Sequence, residues 1–295
     1  MTTVLVAGIA VYDIVYQLAN IPNKPLKYKA EKMQVVSGGC AANAAVTIAK
    51  LDGNPILVTR VGQDIMGEKM LIDLRSEGVD CSHSRISEDG ITPLSSVCVD
   101  QNGERQIVNF PGHGLAHSPG DLTDAVAQSS IVLVDTRWAD AAQISLKLAK
   151  EHGISGVIDA EPPFPGGILE LASHVVFSWP GLKKFTGLTE IKAALIQADQ
   201  DLPGWVAVTD GRRGCYYINP AGLVHENAFK VKVVDTLAAG DVWHGAFALS
   251  LGEGESEVNA VRFANAVAAL KCTGFGGRSA IPNRLETNTF LQKQK

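Results

Sequence analysis

The chain has 295 residues, of which 46% are hydrophobic and 19% are charged, a composition typical of a globular protein with a large apolar core. Its formal net charge of −5 gives no basic field to attract nucleic acid or a membrane surface, so we expect neither as a partner. The five cysteines are scattered and form no CxxC pair, which favours reduced thiols and a cytoplasmic protein.

Segments typical of strands alternate with segments typical of helices. Residues 3–10 are continuously apolar, as buried parallel strands tend to be, and residues 40–53 predict a helix that ends at a glycine. The alternation continues through strands at 55–62, 130–136, 154–160, 174–179 and 204–211 and helices at 66–78, 140–153, 181–187, 191–198, 240–251 and 256–273. This order predicts a single α/β domain over residues 1–295, with a mostly parallel sheet between helices.

Two regions, residues 14–36 and 88–110, interrupt this alternation. Polar and apolar residues alternate in both, and the second contains the turn signal Asn102-Gly103. Both regions therefore predict antiparallel hairpins without crossover helices. Because an open α/β sheet binds ligands beyond the carboxyl ends of its strands, we expect the hairpins to pair there into a small β-sheet lid.

The stretch VVDTLAAGDVWHGAF, residues 233–247, places small residues and an aspartate at the start of a predicted helix. A helix N-terminus leaves about four backbone N–H groups unpaired and carries roughly half a positive charge. Ala238, Ala239 and Gly240 let an anion approach that backbone closely, which suits a transferring phosphate. Asp241 is then placed to accept a hydroxyl proton, and the alternative is that it only caps the helix.

Four motifs resemble those of the ribokinase-like, or PfkB, carbohydrate kinases. Asp235 to Asp241 resembles the family's D-T-x-G-A-G-D signature, and residues 37–67 resemble its N-terminal signature. Asp13 follows the first strand where the family has a sugar ligand, and residues 208–214 (VTDGRRG) resemble its nucleotide motif. The motifs keep the family's order from about residue 3 to residue 283. A dehydrogenase is disfavoured because no GxGxxG follows the first strand.

The resemblance implies a ribokinase-like three-layer α/β/α fold with a small β-sheet lid. It also implies transfer of the γ-phosphoryl group of Mg-ATP to a primary hydroxyl of a sugar or polyol. By that match Asp241 is the base, and the anion hole is the backbone of Ala238, Ala239, Gly240 and Asp241. The implied substrate ligands are Asp13, Gly38, Gly39 and Asn43, and the residues of the ATP side are Thr209, Gly211, Gly214 and Asn265. A rigid nest with one carboxylate supplies the positioning and charge stabilisation that phosphoryl transfer needs.

Two positions depart from the family pattern. Ala238 stands where the family has a glycine, and its Cβ resists positive φ at a cost on the order of 1 kcal/mol. The family's N-x-x-E segment, which organises Mg2+, aligns with Ser178 and Gly181, so that Mg2+ would depend more on ATP oxygens and water. Neither change removes the base, and we expect an active kinase. A weakly active sugar-binding regulator is the alternative.

Three residues at the predicted rim of the site indicate an anionic sugar. Lys27, Asn109 and Arg137 would place two cations and an amide donor at the far end of the substrate. With their surroundings they resemble the sulfofructose kinase branch, in which an equivalent Lys, Asn and Arg hold the sulfonate of 6-deoxy-6-sulfofructose while O1 is phosphorylated. A fructokinase and a 2-keto-3-deoxygluconate kinase stay open.

The resemblance carries two further expectations. Lid-to-lid dimers are common in the family, which implies a homodimer here. Residues 274–282, GFGGRSAIP, resemble the stretch that shapes a monovalent-cation loop in relatives. A monovalent cation is therefore a possible cofactor beside ATP and Mg2+.

Overall fold

The computed structural model of the protein describes residues 1–101 and 104–294. The turn predicted at Asn102-Gly103 lies outside these residues. The strands are β1 (Thr3–Ala7), β2 (Val11–Gln17), β3 (Lys32–Gly38), β4 (Asn54–Val58), β5 (Arg60–Gly62), β6 (Arg85–Ser87), β7 (Leu94–Val99), β8 (Arg105–Phe110), β9 (Ile131–Asp135), β10 (Ser155–Ala160), β11 (His174–Ser178), β12 (Trp205–Thr209), β13 (Cys215–Asn219) and β14 (Gly222–Glu226).

The helices are α1 (Cys40–Lys50), α2 (Ile65–Ser76), α3 (Thr123–Ala127), α4 (Ala139–Glu151), α5 (Trp179–Thr186), α6 (Ile191–Asp201), α7 (Ala239–Gly252), α8 (Glu257–Lys271) and α9 (Arg284–Gln292). Short 3-10 turns lie at Leu169–Leu171, Gly211–Arg213 and Gly277–Ala280. Within the described residues, no helix combines the length and the apolar character needed to cross a bilayer.

The main sheet has the strand order β14-β13-β12-β11-β10-β9-β1-β4. The six neighbouring strands β4, β1, β9, β10, β11 and β12 pair in parallel, and β13 and β14 extend the sheet as an antiparallel edge. Alternate residues of β1 enter different apolar clusters: Val4 and Val6 pack with α1, α7 and α8, while Leu5 and Ala7 pack with α4 to α6. Because successive side chains of a strand face opposite sides of a sheet, helices cover both faces. The predicted three-layer α/β/α fold is confirmed.

Two predicted element boundaries differ from the structure. The strand predicted at 55–62 is two strands, because the chain leaves the main sheet at Thr59, whose carbonyl accepts from Arg85 N–H at 2.7 Å. Beyond this residue β5 pairs with β6 in a separate two-stranded sheet. The sequence analysis also omitted α9, which begins at a reciprocal capping box between Asn283 and Glu286.

The two interrupting regions form one four-stranded sheet in the order β3-β2-β7-β8. Each region supplies an antiparallel pair, β2 with β3 and β7 with β8, and the pairs join through parallel contacts between β2 and β7. Since β2 begins four residues after the carboxyl end of β1, the small sheet starts at the ligand-binding edge of the main sheet. The small β-sheet in the predicted fold class is thus present.

Candidate active site

The predicted anion hole is the N-terminus of α7. Ala238 precedes this helix in the left-handed conformation, with φ 62° and ψ 11°. The N–H of Ala239 bonds to the Thr236 carbonyl at 3.2 Å. Among the described residues, the N–H groups of Gly240 and Asp241 have no protein acceptor. Two donors therefore face outward at the positive end of the helix, where an anion is stabilised.

Asp241 is held by a side chain from the other end of the chain. Its Oδ2 accepts from Asn43 Nδ2 at 2.6 Å, and Asn43 Oδ1 accepts in turn from Arg278 Nε at 3.2 Å. The N-cap of the helix is Ala238, and no side chain caps it, so Asp241 is not its capping residue. The buried Arg278–Asn43 bond fixes which way the Asn43 amide points, and this presents an N–H rather than an oxygen to the carboxylate.

The surroundings of Asp241 favour its protonated form more than water does. Burial raises the pKa of this carboxyl most and the charge of Asp159 adds to the rise, whereas bonds from Asn43 and Cys40 and the nearby His244 lower it; the net result is a pKa of about 6. A carboxyl with a pKa near 6 is ionised at neutral pH and is a stronger proton acceptor than an ordinary aspartate. This suits a base that accepts a proton from an alcohol.

Three residues that the sequence analysis did not select lie against Asp241. Asp159 is the penultimate residue of β10, Cys40 begins α1, and His244 lies one turn into α7. Oxygen and sulfur atoms of Cys40, Asp159 and Asp241 all lie within 4.8 Å of one another. His244 could have been found as a polar residue on an otherwise apolar helix; Asp159 and Cys40 had no comparable signal.

Three of the predicted sugar ligands, Asp13, Gly38 and Asn109, lie together on the small sheet. Gly38 pairs with Val11 in the small sheet, and a Cβ on Gly38 would overlap the Asp13 carboxylate. Asp13, Ser95 and Asn109 are direct cross-strand neighbours, and Asn109 Nδ2 donates to Ser95 Oγ at 3.0 Å. Burial raises the pKa of Asp13, the Ser95 bond lowers it, and the charge of Asp241 adds to the rise. A row of polar groups thus runs across the small sheet.

Gly39 and Asp135 attach helix α1 to the carboxyl edge of the main sheet. Gly39 has a φ of 95°, and a Cβ there would overlap the backbone of Ile9. The buried Asp135 carboxylate accepts from the N–H groups of Ile9 at 2.8 Å and Ala41 at 3.2 Å. These bonds set the position of α1, and hence of Asn43 in its first turn.

Arg137 lies at the same edge, two residues after the end of β9. Its side chain is exposed, and its Nη1 donates to the Pro162 carbonyl at 2.8 Å. Burial raises the pKa values of Cys40 and Asp159, and the charge of Arg137 offsets a small part of that rise. In the described part of the chain no carboxylate forms an ion pair with it. Lys27 lies exposed in the loop between β2 and β3, and no described contact brings it to Asn109 or Arg137.

The predicted ATP residues lie around β12. Thr209 ends this strand, Gly211 follows with a φ of 51°, and Gly214 has a φ of 95° in close contact with the backbone of Glu226. Asn265, which the resemblance places on the ATP side, lies on α8. Its buried amide accepts from Trp243 Nε1 at 2.8 Å and donates to the carbonyls of Glu226 and Asn227 at 3.3 and 3.2 Å. Its polar atoms thus join α8 to α7 and to the end of β14.

The departure at Ser178 and Gly181 has a structural counterpart. Ser178 caps α5, because its Oγ accepts from Gly181 N–H at 3.1 Å. A Cβ built on Gly181 would lie 3.6 Å from Glu161 Oε1. A carboxylate from the end of β10 therefore reaches the space where a side chain at position 181 would begin. Oxygen donors of this kind fit Mg2+.

The stretch resembling a monovalent-cation loop encloses a lysine. Lys271 is fully buried, and its Nζ donates to the Asp235 carbonyl at 3.0 Å and lies 3.6 Å from Asp235 Oδ2. The same carboxylate oxygen accepts from the N–H groups of Gly276 and Gly277, each at 3.2 Å. The Asp235 carboxylate thus joins the loop to the segment that leads into the anion hole, and the Lys271 ammonium lies beside that carboxylate.

Comparison with known proteins decides the family. Over residues 1–284 the chain matches the model of the pfkB family carbohydrate kinases. The chain belongs to the pfkB family. This pfkB protein is 28% identical to a ribokinase of Haemophilus influenzae over 89% of each chain. It is 29% identical to an ATP-dependent ribose-1-phosphate kinase of Halopiger xanaduensis over 100% of this chain and 99% of that one.

Solved structures agree with the assignment to the pfkB family. A structure from Agrobacterium tumefaciens is 33% identical, with a TM-score of 0.93 over 99% of this chain and 98% of that one. The Arabidopsis thaliana ribokinase complexed with ribose and ATP shares the fold, at 24% identity and a TM-score of 0.90 over 99% and 98% of the chains. The predicted enzyme class, an ATP-dependent carbohydrate kinase, is confirmed.

Proposed function

We propose that this pfkB kinase phosphorylates O1 of an anionic ketose, 6-deoxy-6-sulfofructose, using Mg-ATP. The observation that carries the substrate is Arg137. A guanidinium group at the ligand-binding edge, anchored by the Pro162 carbonyl at 2.8 Å and lacking an ion pair among the described residues, has the geometry to receive an oxyanion. Because Arg137 is exposed, a neutral ketose would leave its guanidinium to water, whereas an anionic ketose would give it a counter-ion.

The chain's own residues account for the transfer. Asp241 accepts the proton of the substrate hydroxyl, and the Asn43 bond holds its carboxylate in place. The outward N–H groups of Gly240 and Asp241 stabilise the charge that develops on the transferring phosphoryl group. Asp13 and Asn109 orient the sugar from the small sheet. Thr209, Gly211 and Gly214 border the nucleotide.

Glu161 would hold Mg2+ in place of the missing family glutamate. When bound, Mg2+ would neutralise part of the phosphate charge. Glu161→Gln should weaken the binding of Mn2+ in the presence of ADP by about 10-fold, measured by electron paramagnetic resonance without turnover. The matched control is Glu170→Gln, which removes an exposed carboxylate outside the site. Equal Mn2+ binding by both variants would remove Glu161 from the metal site.

The base is tested by Asp241→Asn, which keeps the shape of the side chain but cannot accept a proton. Turnover should fall by at least roughly 100-fold, with the dissociation constant of ATP nearly unchanged. Retention of more than a tenth of the turnover would show that Asp241 is not the base. The substrate proposal does not depend on this outcome.

The substrate is tested by the ratio of kcat/KM for sulfofructose to that for fructose. Arg137→Ala should lower kcat/KM for the sulfosugar by about 30-fold or more and leave fructose nearly unchanged. Lys27→Ala and Asn109→Ala should act in the same direction. The exposed Arg75 of α2 provides the control, Arg75→Ala. An unchanged ratio would return the substrate to a fructokinase or 2-keto-3-deoxygluconate kinase.

Ribose is a second candidate, because relatives that match this chain along its length are named ribokinases. Ribose carries no anion, so it makes no use of the Arg137 guanidinium. The two candidates separate in one assay of ADP release with ribose, fructose and sulfofructose as acceptors. If ribose gives the highest kcat/KM and Arg137→Ala does not alter it, the ribokinase assignment replaces ours.

We also propose that the small sheet acts as a lid and that two copies pair through it. Met33 and Val35 on β3 and Ile107 and Val108 on β8 are 58, 48, 56 and 69% exposed. Apolar side chains on the strands of an open sheet are commonly covered by a partner. Sedimentation should show a dimer at micromolar concentration and a monomer for Ile107→Glu. A monomeric parent protein contradicts the pairing.

A cytoplasmic location belongs to the same proposal. Cys40, Cys81, Cys98, Cys215 and Cys272 are all free thiols in the structure. Such thiols suit a reducing compartment, where ATP is also available. Fractionation of the cells that make the protein tests the location.

A further inference from the structure

A group of metal-binding atoms lies at the catalytic base. One atom each from Cys40, Asp159 and Asp241 lie within 4.8 Å of one another, and a small cavity beside them is lined by Cys40, Asp159 and His244. Two carboxylates and a thiol that approach so closely in a largely buried place repel one another when ionised. Such a group is stabilised by a proton or by a cation.

His244 supplies an independent sign of a cation. Its Nδ1 lies 2.8 Å from the Gly240 carbonyl, which can only accept, so Nδ1 carries a proton. Its Nε2 lies 3.5 Å from Asp159 Oδ1, is buried, and has no hydrogen-bond partner among the described residues. A neutral imidazole would therefore direct a lone pair towards a carboxylate. This arrangement is favourable when a positive ion lies between the two atoms.

We propose that Cys40, Asp159, Asp241 and His244 form a binding site for a soft divalent cation such as Zn2+. Thiolate, imidazole and carboxylate are its usual ligands, whereas a thiolate disfavours Mg2+. Tetrahedral ligands of zinc lie roughly 3.5 Å apart, so the atoms of Cys40, Asp159 and Asp241 need to contract by about 1 Å. His244 Nε2 is already 3.5 Å from Asp159 Oδ1 and needs to approach the other two. The Nδ1–H bond to a backbone carbonyl is the support that metal-bound histidines ordinarily have.

Occupation of this site inhibits the kinase. Cys40 loses its thiol proton to solvent as the metal–sulfur bond forms, and the Asp241 carboxylate becomes a ligand. It can then no longer accept the proton of the substrate hydroxyl. Zn2+ therefore acts as a reversible inhibitor, and a chelator restores activity.

The proposal is tested on the full chain without sugar or nucleotide, so its outcome is separate from that of the proposed function. Zn2+ is titrated against a chromophoric chelator, and Cd2+ is followed by thiolate-to-metal absorption in the ultraviolet. The expected result is one equivalent bound at micromolar affinity or tighter, with a Cd2+–thiolate band. Cys40→Ala should abolish the band and weaken binding by at least about 100-fold, because it removes a ligand rather than a supporting group.

Matched variants make the result decisive. Cys98→Ala removes a thiol from the small sheet and should bind the metal like the parent protein. Asp159→Asn should weaken binding while leaving the Cd2+–thiolate band at saturation, which shows that the variant is folded. Absence of one-equivalent binding, or equal binding by the Cys40, Asp159 and parent proteins, overturns the proposal. A proton alone then lies between His244 and Asp159.

Discussion

Replacing Asp159 by asparagine should move the acid limb of the pH–activity profile. The charge of Asp159 is the second cause, after burial, of the rise that brings the pKa of Asp241 to about 6. Other groups facing Asp241 are Cys40 and Asn43 from α1 and His244 from its own helix. Asparagine keeps the size of the side chain and removes its charge. We expect the acid limb to move towards lower pH by about one unit, because the charge of Asp159 causes only part of the rise in the pKa of Asp241.

The size of the effect follows from the ionised fraction of the base. With a pKa of about 6, Asp241 is roughly 90% ionised at pH 7 and 10% at pH 5, so that kcat/KM falls about 10-fold between them. In Asp159→Asn the same step should reduce kcat/KM only about twofold. The sign is fixed because the base acts when ionised: activity is present above the pKa and is lost below it.

The assay is kcat/KM for the sugar from pH 4.5 to 8, with Mg-ATP saturating so that titration of the nucleotide is the same for both proteins. Asp199→Asn, at an exposed position on α6, is the control and should leave the limb in place. An unmoved limb in Asp159→Asn would refute the electrostatic coupling of the two carboxylates. A limb that is absent in both proteins would show that Asp241 does not limit the rate.

Three further predictions concern residues that support the anion hole and the base. Ala238→Gly should keep activity and raise the free energy of unfolding by about 0.5–1 kcal/mol, because glycine relieves the positive φ; Ala239→Gly, inside α7, should lower it in the same urea titration. Lys271→Ala should lower kcat, and K+ or ammonium salts should restore part of the lost activity. The parent protein should not need added K+, and a several-fold rise of its kcat on addition of K+ would contradict the prediction. Arg278→Met should reduce kcat about 10-fold with little change in the KM for ATP, because Asn43 loses its orientation; an unaltered kcat would limit Arg278 to packing.

The local parts of the site could be predicted from the sequence, because they depend on consecutive residues. Ala238 to Asp241 form a helix N-terminus, and small residues followed by a helical run indicate one. The paired glycines at 38 and 39 likewise precede a predicted helix. The alternation of apolar runs and amphipathic segments is also local, and it predicted the parallel sheet between helices.

The contacts that hold the base could not be predicted in the same way. Asn43 and Asp241 are 198 positions apart, and Asn43 and Arg278 are 235 apart. Each contact depends on where whole helices lie in the fold. Asp159 lies one residue before the end of a buried strand, and only its distance from Asp241 gives it a role. Asn265 shows the opposite case, since a residue that the motif places near the nucleotide has its amide engaged elsewhere.

The departure from the family pattern at position 181 shows what phosphoryl transfer requires of the chain. Phosphoryl transfer depends on where charge lies in space, and the chain segment that supplies it is free to change. At position 181 the side chain is missing, and Glu161 from the neighbouring strand end directs a carboxylate into that space. Beside the anion hole, Lys271 places a fixed ammonium group on the Asp235 segment. A motif search scores position 181 as a loss, although its distance from Glu161 shows that a carboxylate is available there.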